Sequence, residues 1–334
     1  MYPAFEGDYH GIFIGQMVRD LESRGVIIKK AVKINPSILG YPTFMMRSLI
    51  LSRNRELDLL QAEYIPHSSL IPAYFKRDMV SLILKFHGDD ARIYPFQNRF
   101  NQMLTKSMLG HAAHIITGSE EMKRILVSLG EEPDRISAIH TGVDTAFFIP
   151  LNGAECRRTL GLPQGNPTFL FVGRLHPMKG IHEIIEVARS CPNFTFVFLG
   201  PGTVPAHPNN CKFIGSQVPT MVRMWLNAAD CLLLPTYTES VPAAVMEAFS
   251  CGKPAITTDI GGCPEIVEDG QNGLLIPVRD VQLLRDAVEY MNDNPESCKE
   301  MGRNARITAV SKFDHFVLLD RLMEVHKIVL EKKN

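Results

Sequence analysis

The chain has 334 residues, with 35 Lys and Arg against 36 Asp and Glu, so a net charge of -1 gives no general attraction for nucleic acid or an anionic membrane. Its 45% apolar and 21% charged residues are ordinary for a globular protein, and at roughly 150 residues per domain the length suggests about two domains. No apolar run approaches the roughly 18 to 20 residues of a spanning helix, and the opening Met1-Tyr2-Pro3-Ala4-Phe5-Glu6-Gly7-Asp8 lacks a basic segment and a long apolar stretch, so a cytoplasmic protein is expected. The seven cysteines are odd in number and form no C-x-x-C pair, which argues for reduced, buried thiols over a disulfide framework or a zinc site.

Short β-branched or aromatic runs alternate with helical patterns along most of the chain, the signature of parallel sheets covered by helices, so the fold class is α/β. A helix pattern (Ile12, Phe13, Met17, Val18, Leu21) opens the chain directly after Tyr9-His10-Gly11. The residues before it hold Pro, Gly and acids, so the opening strand of a βα unit is expected to be missing and Met1 to be internal to a longer protein. Strands are predicted near Val26 to Lys33, Leu57 to Ala62, Val80 to Phe86, His114 to Thr117 and Ile136 to His140. The stretch Phe44 to Arg55 reads as a helix covering the sheet, or as a basic amphipathic helix on a membrane. From Arg19 to Lys106 there are 14 basic and 8 acidic residues, a surplus of six that would suit a lipid-linked partner.

Pro150, Gly153, Gly161, Pro163, Gly165 and Pro167 make Phe148 to Pro167 the predicted linker. Strands follow at Thr168 to Val172, Phe194 to Leu199, Cys231 to Leu234, Ala255 to Thr257 and Gly273 to Ile276, and a helical stretch from Phe313 to Glu331 ends the series. The expected organisation is one Rossmann-like domain over 1–149, a second over 150–312, and a terminal helix over 313–334 that packs back on the first. Tandem sheets of this kind would put their strand carboxyl ends at a shared ligand cleft.

Two elements could carry chemistry. In Val172-Gly173-Arg174-Leu175-His176-Pro177-Met178-Lys179-Gly180, two cations lie between a strand and a helix start. Backbone N–H groups and the helix dipole favour an anion there, and Arg174 and Lys179 add a fork and a point charge suited to a diphosphate, each contributing on the order of 4 kcal/mol per phosphate charge before desolvation. The alternative is a solvated loop with two neighbouring basic residues. In Glu239-Ser240-Val241-Pro242-Ala243-Ala244-Val245-Met246-Glu247, Pro242 suits a first helical turn, and roughly 7.5 Å of helix separates it from Glu247. The two carboxylates would flank the helix start and accept from vicinal hydroxyls, with the amides of Val241, Ala243 and Ala244 left for phosphate oxygens. The alternative makes Glu239 a dipole-favoured helix-start carboxylate and Glu247 a surface residue.

Together these elements resemble the retaining nucleotide-sugar glycosyltransferases of family 4, which have the GT-B fold. The resemblance covers nearly the whole chain. It includes G-R-L-H-P-M-K-G, the E-x7-E element, A-A-D-C-L-L-L-P-T-Y-T-E-S before it and E-A-F-S-C-G-K-P-A-I-T-T-D-I-G-G-C-P-E-I-V after it, with F-H-G-D-D (Phe86 to Asp90) and H-T-G-V-D (His140 to Asp144) in the first domain. It implies that Gly173, Arg174 and Lys179 hold the donor diphosphate, Glu239 the sugar hydroxyls and Glu247 the ribose, with Ser240, Val241 and Ala243 in the same pocket. His87 would lie against the sugar near the reacting carbon, and Gly11 in a loop approaching the donor. The chain departs from the family pattern at its start, at His10 and at Thr141.

The implied reaction is transfer of a sugar from a nucleoside diphosphate sugar to a saccharide or lipid-linked saccharide hydroxyl, in polysaccharide or glycolipid synthesis, with no separate cofactor. No D-x-D occurs, so no metal is expected on the diphosphate. His111 and His114 form H-x-x-H without a Glu or Cys at ligand spacing, so no zinc site is expected there. Two other functions fit the same diphosphate cradle: an epimerase acting on donor without acceptor, and an inert nucleotide-sugar-binding protein.

Overall fold

The computed structural model describes residues 12–33 and 40–332. These fall into two compact units, one of the residues up to Thr141 together with those from Phe316 on, the other Gly142–His315.

The sheet of the first unit is parallel, in the order β1 (Leu59–Glu63), β2 (Ser81–Phe86), β3 (His114–Thr117), β4 (Ile136–Ala138). Strands of a parallel sheet are covered on both faces and therefore read as continuous apolar runs. In β2, alternate residues serve opposite faces: Leu82, Leu84 and Phe86 enter one cluster with Met108, Leu109 and Met122, while Ile83 joins Ile116, Ile139 and Leu21 in another. The second cluster is closed by Leu318, Leu319, Leu322, Val325 and Val329 of the helix His315–Glu331. Asn98 and Ser119 start the helices Arg99–Gly110 and Glu120–Ser128, each side chain accepting from the amide three residues on.

Val26 to Lys33 is not a strand. The stretch runs without secondary structure, laying Val26 and Ile28 on the cluster around Ile83 while Ile27 stays exposed, so its alternating pattern is satisfied by packing without a ladder. The helix Gly40–Ser52 buries Phe44, Ser48 and Ser52, as a covering helix does, and leaves Met46 and Ile50 outward. His10, Gly11 and the expected absence of an opening strand lie outside the described residues.

In the second unit all pairings are again parallel, in the order β10 (Gly273–Ile276), β9 (Ala255–Thr258), β8 (Cys231–Leu234), β5 (Thr168–Val172), β6 (Thr195–Leu199), β7 (Cys211–Gly215). This is the doubly wound arrangement, in which strand order reverses between β5 and β8. Register puts Phe169 beside Phe196, Phe171 beside Phe198 and Phe198 beside Phe213. Their rings make a cross-strand row on one face, with centroids 5.6, 5.9 and 4.3 Å apart, the last pair parallel to within 5°. Strand β7 is an addition to the predicted elements.

Phe148 to Pro167, the predicted linker, is folded onto this unit. It contains the helix Gly153–Thr159, started by Asn152, and Arg157 reaches Asp230 Oδ2 at 2.7 Å and the carbonyl of Ala228 at 2.7 Å. Its prolines and glycines shape turns against a core, so breaker density alone did not mark a free hinge. Arg306 ties the same region down by donating to the carbonyls of Ser250 (2.7 Å), Phe148 (3.0 Å) and Thr145 (3.1 Å). Arg306→Leu should leave these acceptors unpaired and cost about 3 kcal/mol, a fall in Tm of roughly 6 to 12 °C. A thermal scan showing a loss under about one degree would remove this role for Arg306.

Candidate donor-binding site

The site is built where the order of the second sheet reverses. After β5, Gly173 N donates to Leu199 O at 2.9 Å and Leu175 N to Pro201 O at 2.8 Å, which laces the loop to the one following β6. A side chain at Gly200 would put its Cβ 1.8 Å from Gly173 O, so this approach of two backbones requires glycine. His176 then accepts from Met178 N and begins a single 3-10 turn, Pro177–Lys179. Gly180 ends the turn at φ 71° and leads into the helix Ile181–Ser190; a Cβ there would lie 2.1 Å from Pro235 O, in the loop after β8.

The loop after β8 is fixed in turn. Tyr237 N donates to Met178 O at 2.8 Å, Thr236 Oγ1 to the same carbonyl at 3.2 Å, and Thr258 Oγ1 to Thr236 O at 2.6 Å. The Tyr237 hydroxyl donates to Glu183 in the first turn of the helix after Gly180, and the Arg279 guanidinium lies 4.8 Å over the Tyr237 ring. Tyr237 thus grips both sides of the turn that carries Lys179.

These constraints set Lys179 Nζ 2.5 Å from Glu239 Oε2, with side chains 28% and 15% exposed. The pair joins the loop after β5 to the loop after β8. A lysine ammonium has three donors, so two remain for other acceptors. Arg174 is exposed and makes no ion pair among the described residues. The helix that follows Glu239 is Ala243–Ser250, with Pro242 at its N-cap, one position before the turn in which it was expected. Of the three amides expected to be available, Ala243 N instead donates to Val241 O at 2.9 Å, because the chain turns tightly before the helix; Val241 N and Ala244 N make no backbone bond among the described residues. Glu247, in mid-helix and only partly accessible, has its carboxyl pushed up to about 7 by burial. Val172-Gly173-Arg174, Ser240 and Glu247 therefore all belong to segments converging on the β5/β8 reversal.

His87 belongs to the first unit, immediately after β2. Its amide donates to Asp90 Oδ1 at 2.9 Å, its Nε2 lies 2.5 Å from Glu63 Oε2, and its ring centroid is 4.4 Å from that of Tyr64. Asp90 also accepts from Gly88 N (2.8 Å) and Ile65 N (3.2 Å), so its carboxylate is spent on main chain. His114 is buried with Nε2 2.9 Å from Ser137 Oγ, and His111 is against Tyr74, which gives both a packing role. Glu63 was not among the residues expected at the site. Its only signal was an acid ending the run Leu59–Glu63, beside a lysine inside the apolar run Ser81–Phe86.

Residues 14–147 match the family model Glycosyltransferase Family 4, and residues 154–308 match Glycosyl transferases group 1. The D-inositol 3-phosphate glycosyltransferase of Corynebacterium efficiens is 30% identical over 213 residues, 57% of this chain and 50% of that protein; that of Mycobacterium tuberculosis strain F11 is 29% identical over 202 residues, 56% of this chain and 42% of it. The chain thus spans about half the length of the curated relatives it matches. Among solved structures, sucrose-phosphate synthase from Thermosynechococcus elongatus aligns with a TM-score of 0.82 at 18% identity, covering 96% of this chain and 93% of that one. Anabaena HepE, solved in complex with UDP, aligns with a TM-score of 0.78 at 20% identity, covering 92% and 88%. One family match in each unit, on two parallel sheets in an architecture shared with these structures, means that the chain belongs to glycosyltransferase family 4 and has the GT-B fold.

Proposed function

We propose that this protein transfers a glycosyl unit from a nucleoside diphosphate sugar to an acceptor hydroxyl with the anomeric configuration kept. The observation that carries this reading is the Lys179–Glu239 pair at the strand-order reversal of the second sheet, where doubly wound folds bind their ligands. A cation and an acid in contact there match the two ends of a diphosphate-linked sugar. Lys179 and Arg174 take the diphosphate oxygens, and Glu239 accepts from the sugar hydroxyls. Glu247 accepts from the ribose, and the amides of Val241 and Ala244, which make no backbone bond among the described residues, add donors at the start of a helix. His87 is assigned to the transferred sugar, and Gly173 and Ser240 to the loops that close on the diphosphate.

In the reaction the sugar–phosphate bond breaks as the acceptor oxygen bonds to the anomeric carbon on the same face. The leaving phosphate oxygen receives the acceptor's proton, while Arg174, Lys179 and the helix start stabilise the charge growing on the diphosphate. Two side-chain cations meet that charge directly, so we read the transfer as independent of a metal ion. HepE was also solved with UDP-glucose, which makes UDP-sugars the first donors to test. A lipid-linked saccharide acceptor is favoured by the outer face of the helix Arg99–Gly110, where Phe100 (71% exposed) and Met103 (70% exposed) lie among Arg99 and Lys106. Acceptors with and without an acyl tail, compared in one assay, decide that point.

Incubating donor with acceptor should give a glycoside whose anomeric proton coupling matches the donor's configuration, undiminished by EDTA; an inverted product would refute retention, and epimer formed without acceptor would favour an epimerase. Arg174→Ala and Lys179→Ala should each lower turnover about 100- to 1000-fold, and near-normal rates in both would reject the assignment.

Glu247 offers a test with a defined sign. Its folded value, about 7, is above the ordinary 4.5, so between those values the native state holds a proton that the unfolded chain has lost, and stability falls as pH rises through that window. Glu247→Gln removes this loss: its stability relative to the parent should improve by on the order of 2 kcal/mol from pH 5 to pH 8, while donor affinity at pH 8 weakens about tenfold. Equal Tm differences at both pH values would contradict the buried-carboxylate account, and unchanged affinity would contradict the ribose assignment.

A further inference from the structure

The first unit contains a line of polar side chains inside its packed interior. On one face of the sheet, β1 presents Gln61 and Glu63, and β2 presents Lys85 in register with Glu63, two residues before His87. His326, from the helix His315–Glu331, approaches Gln61 Oε1 at 2.7 Å through Nε2; Gln61 donates its amide to Glu63 Oε1, and Glu63 Oε2 is 2.5 Å from His87 Nε2. Lys85 is 7% exposed, and the side chains of His87 and Glu63 are 8% and 14% exposed. Asp90 fixes the backbone of His87, and the Tyr64 ring covers it.

Such a line costs several kcal/mol of desolvation per ion, and well-packed apolar residues would stabilise the same space as well or better. Burial alone would raise the Glu63 carboxyl, but the Lys85 ammonium and His87 more than offset this and hold it at about 2. Glu63 is therefore an ionised acceptor at any working pH. Its hydrogen bond with His87 then requires the proton on Nε2, which makes Nδ1 the acceptor of the neutral ring.

We propose that Glu63 is a positioning residue for sugar transfer: it locks His87 in the Nε2–H tautomer, so that a hydroxyl of the transferred sugar meets a ring nitrogen that accepts. Gln61 holds Glu63 directly and His326 holds Gln61, while Lys85, whose Nζ donates to Met17 Sδ at 3.4 Å, acts on Glu63 through its charge. This inference rests on the assignment of His87 to the sugar, and the test separates the two.

In the full chain, kcat and donor KM are measured for the parent, Glu63→Gln, Glu63→Asp and His87→Ala, and the His87 tautomer is read from its ring 15N shifts. Glutamine keeps the shape but can donate to Nε2, letting the proton move to Nδ1. Glu63→Gln should lower kcat at least about tenfold, as a wrong tautomer does in a His–carboxylate pair, with KM changed by less than about threefold because the nucleotide is held elsewhere. Glu63→Asp should recover part of the loss, and the parent should show Nε2–H with a shift toward Nδ1–H in Glu63→Gln. Parental kcat in Glu63→Gln with kcat lost in His87→Ala would overturn the role of Glu63 alone; parental kcat in both would remove His87 from the sugar. Were Glu63→Gln not to fold, an Nδ1–H signature in the parent would by itself overturn the proposal.

Discussion

The second unit is organised by a contact between two loops that start from adjacent central strands. Because β5 and β8 are neighbours, the loops that follow them leave the sheet side by side at the strand ends. Gly180 lets the first loop press against Pro235 in the second, and Tyr237 and Thr236 fasten them through Met178 O. Lys179 and Glu239 are brought into contact by that fastening. The ion pair is half-buried, so it is preorganised without the full cost of burying two charges. A ligand carrying both anionic oxygens and hydroxyl donors can satisfy each partner without leaving either charge unmatched.

The same logic of fixed charge appears in the first unit in a costlier form. Glu63 and Lys85 sit opposite each other on adjacent strands, and the line from His326 to His87 runs between the sheet and the terminal helix. Burial holds His326 well below its ordinary value, at about 4, with Lys85 adding to the effect, so His326 enters the line as a neutral ring. Every member has a partner, which is the condition under which a buried polar network can be tolerated.

How far the sequence could be read follows from these forces. His114–Thr117, Thr168–Val172 and Cys231–Leu234 are strands with the bounds predicted, because central parallel strands are short apolar runs cut off sharply by turn residues; the edge strand Gly273–Ile276 also keeps its predicted bounds. Val26 to Lys33 looks like a strand since Val26 and Ile28 pack inward while Ile27 points out, and only the lack of a ladder tells otherwise. Cys211–Gly215 was invisible for the opposite reason: an edge strand of five residues with one lysine and one glycine carries little apolar signal. At the candidate site, Arg174, Lys179, Glu239 and Glu247 stand in local motifs that spacing alone singles out, and the contact of Lys179 with Glu239 joins the two motifs. The state of the Ala243 amide, the proton on Glu247 and the part of Glu63 depend on contacts between segments far apart in the chain, which spacing does not encode.

The central claim is that the loops after β5 and β8 grip a pyrophosphate and not merely a nucleoside. Calorimetric titration of the full chain with uridine, guanosine and adenosine diphosphates, each beside its monophosphate, tests it most directly. For the preferred base the diphosphate should bind at least about tenfold more tightly, the contribution of one charge-assisted contact to the second phosphate. Equal affinity for mono- and diphosphate, or binding of neither, would contradict the account.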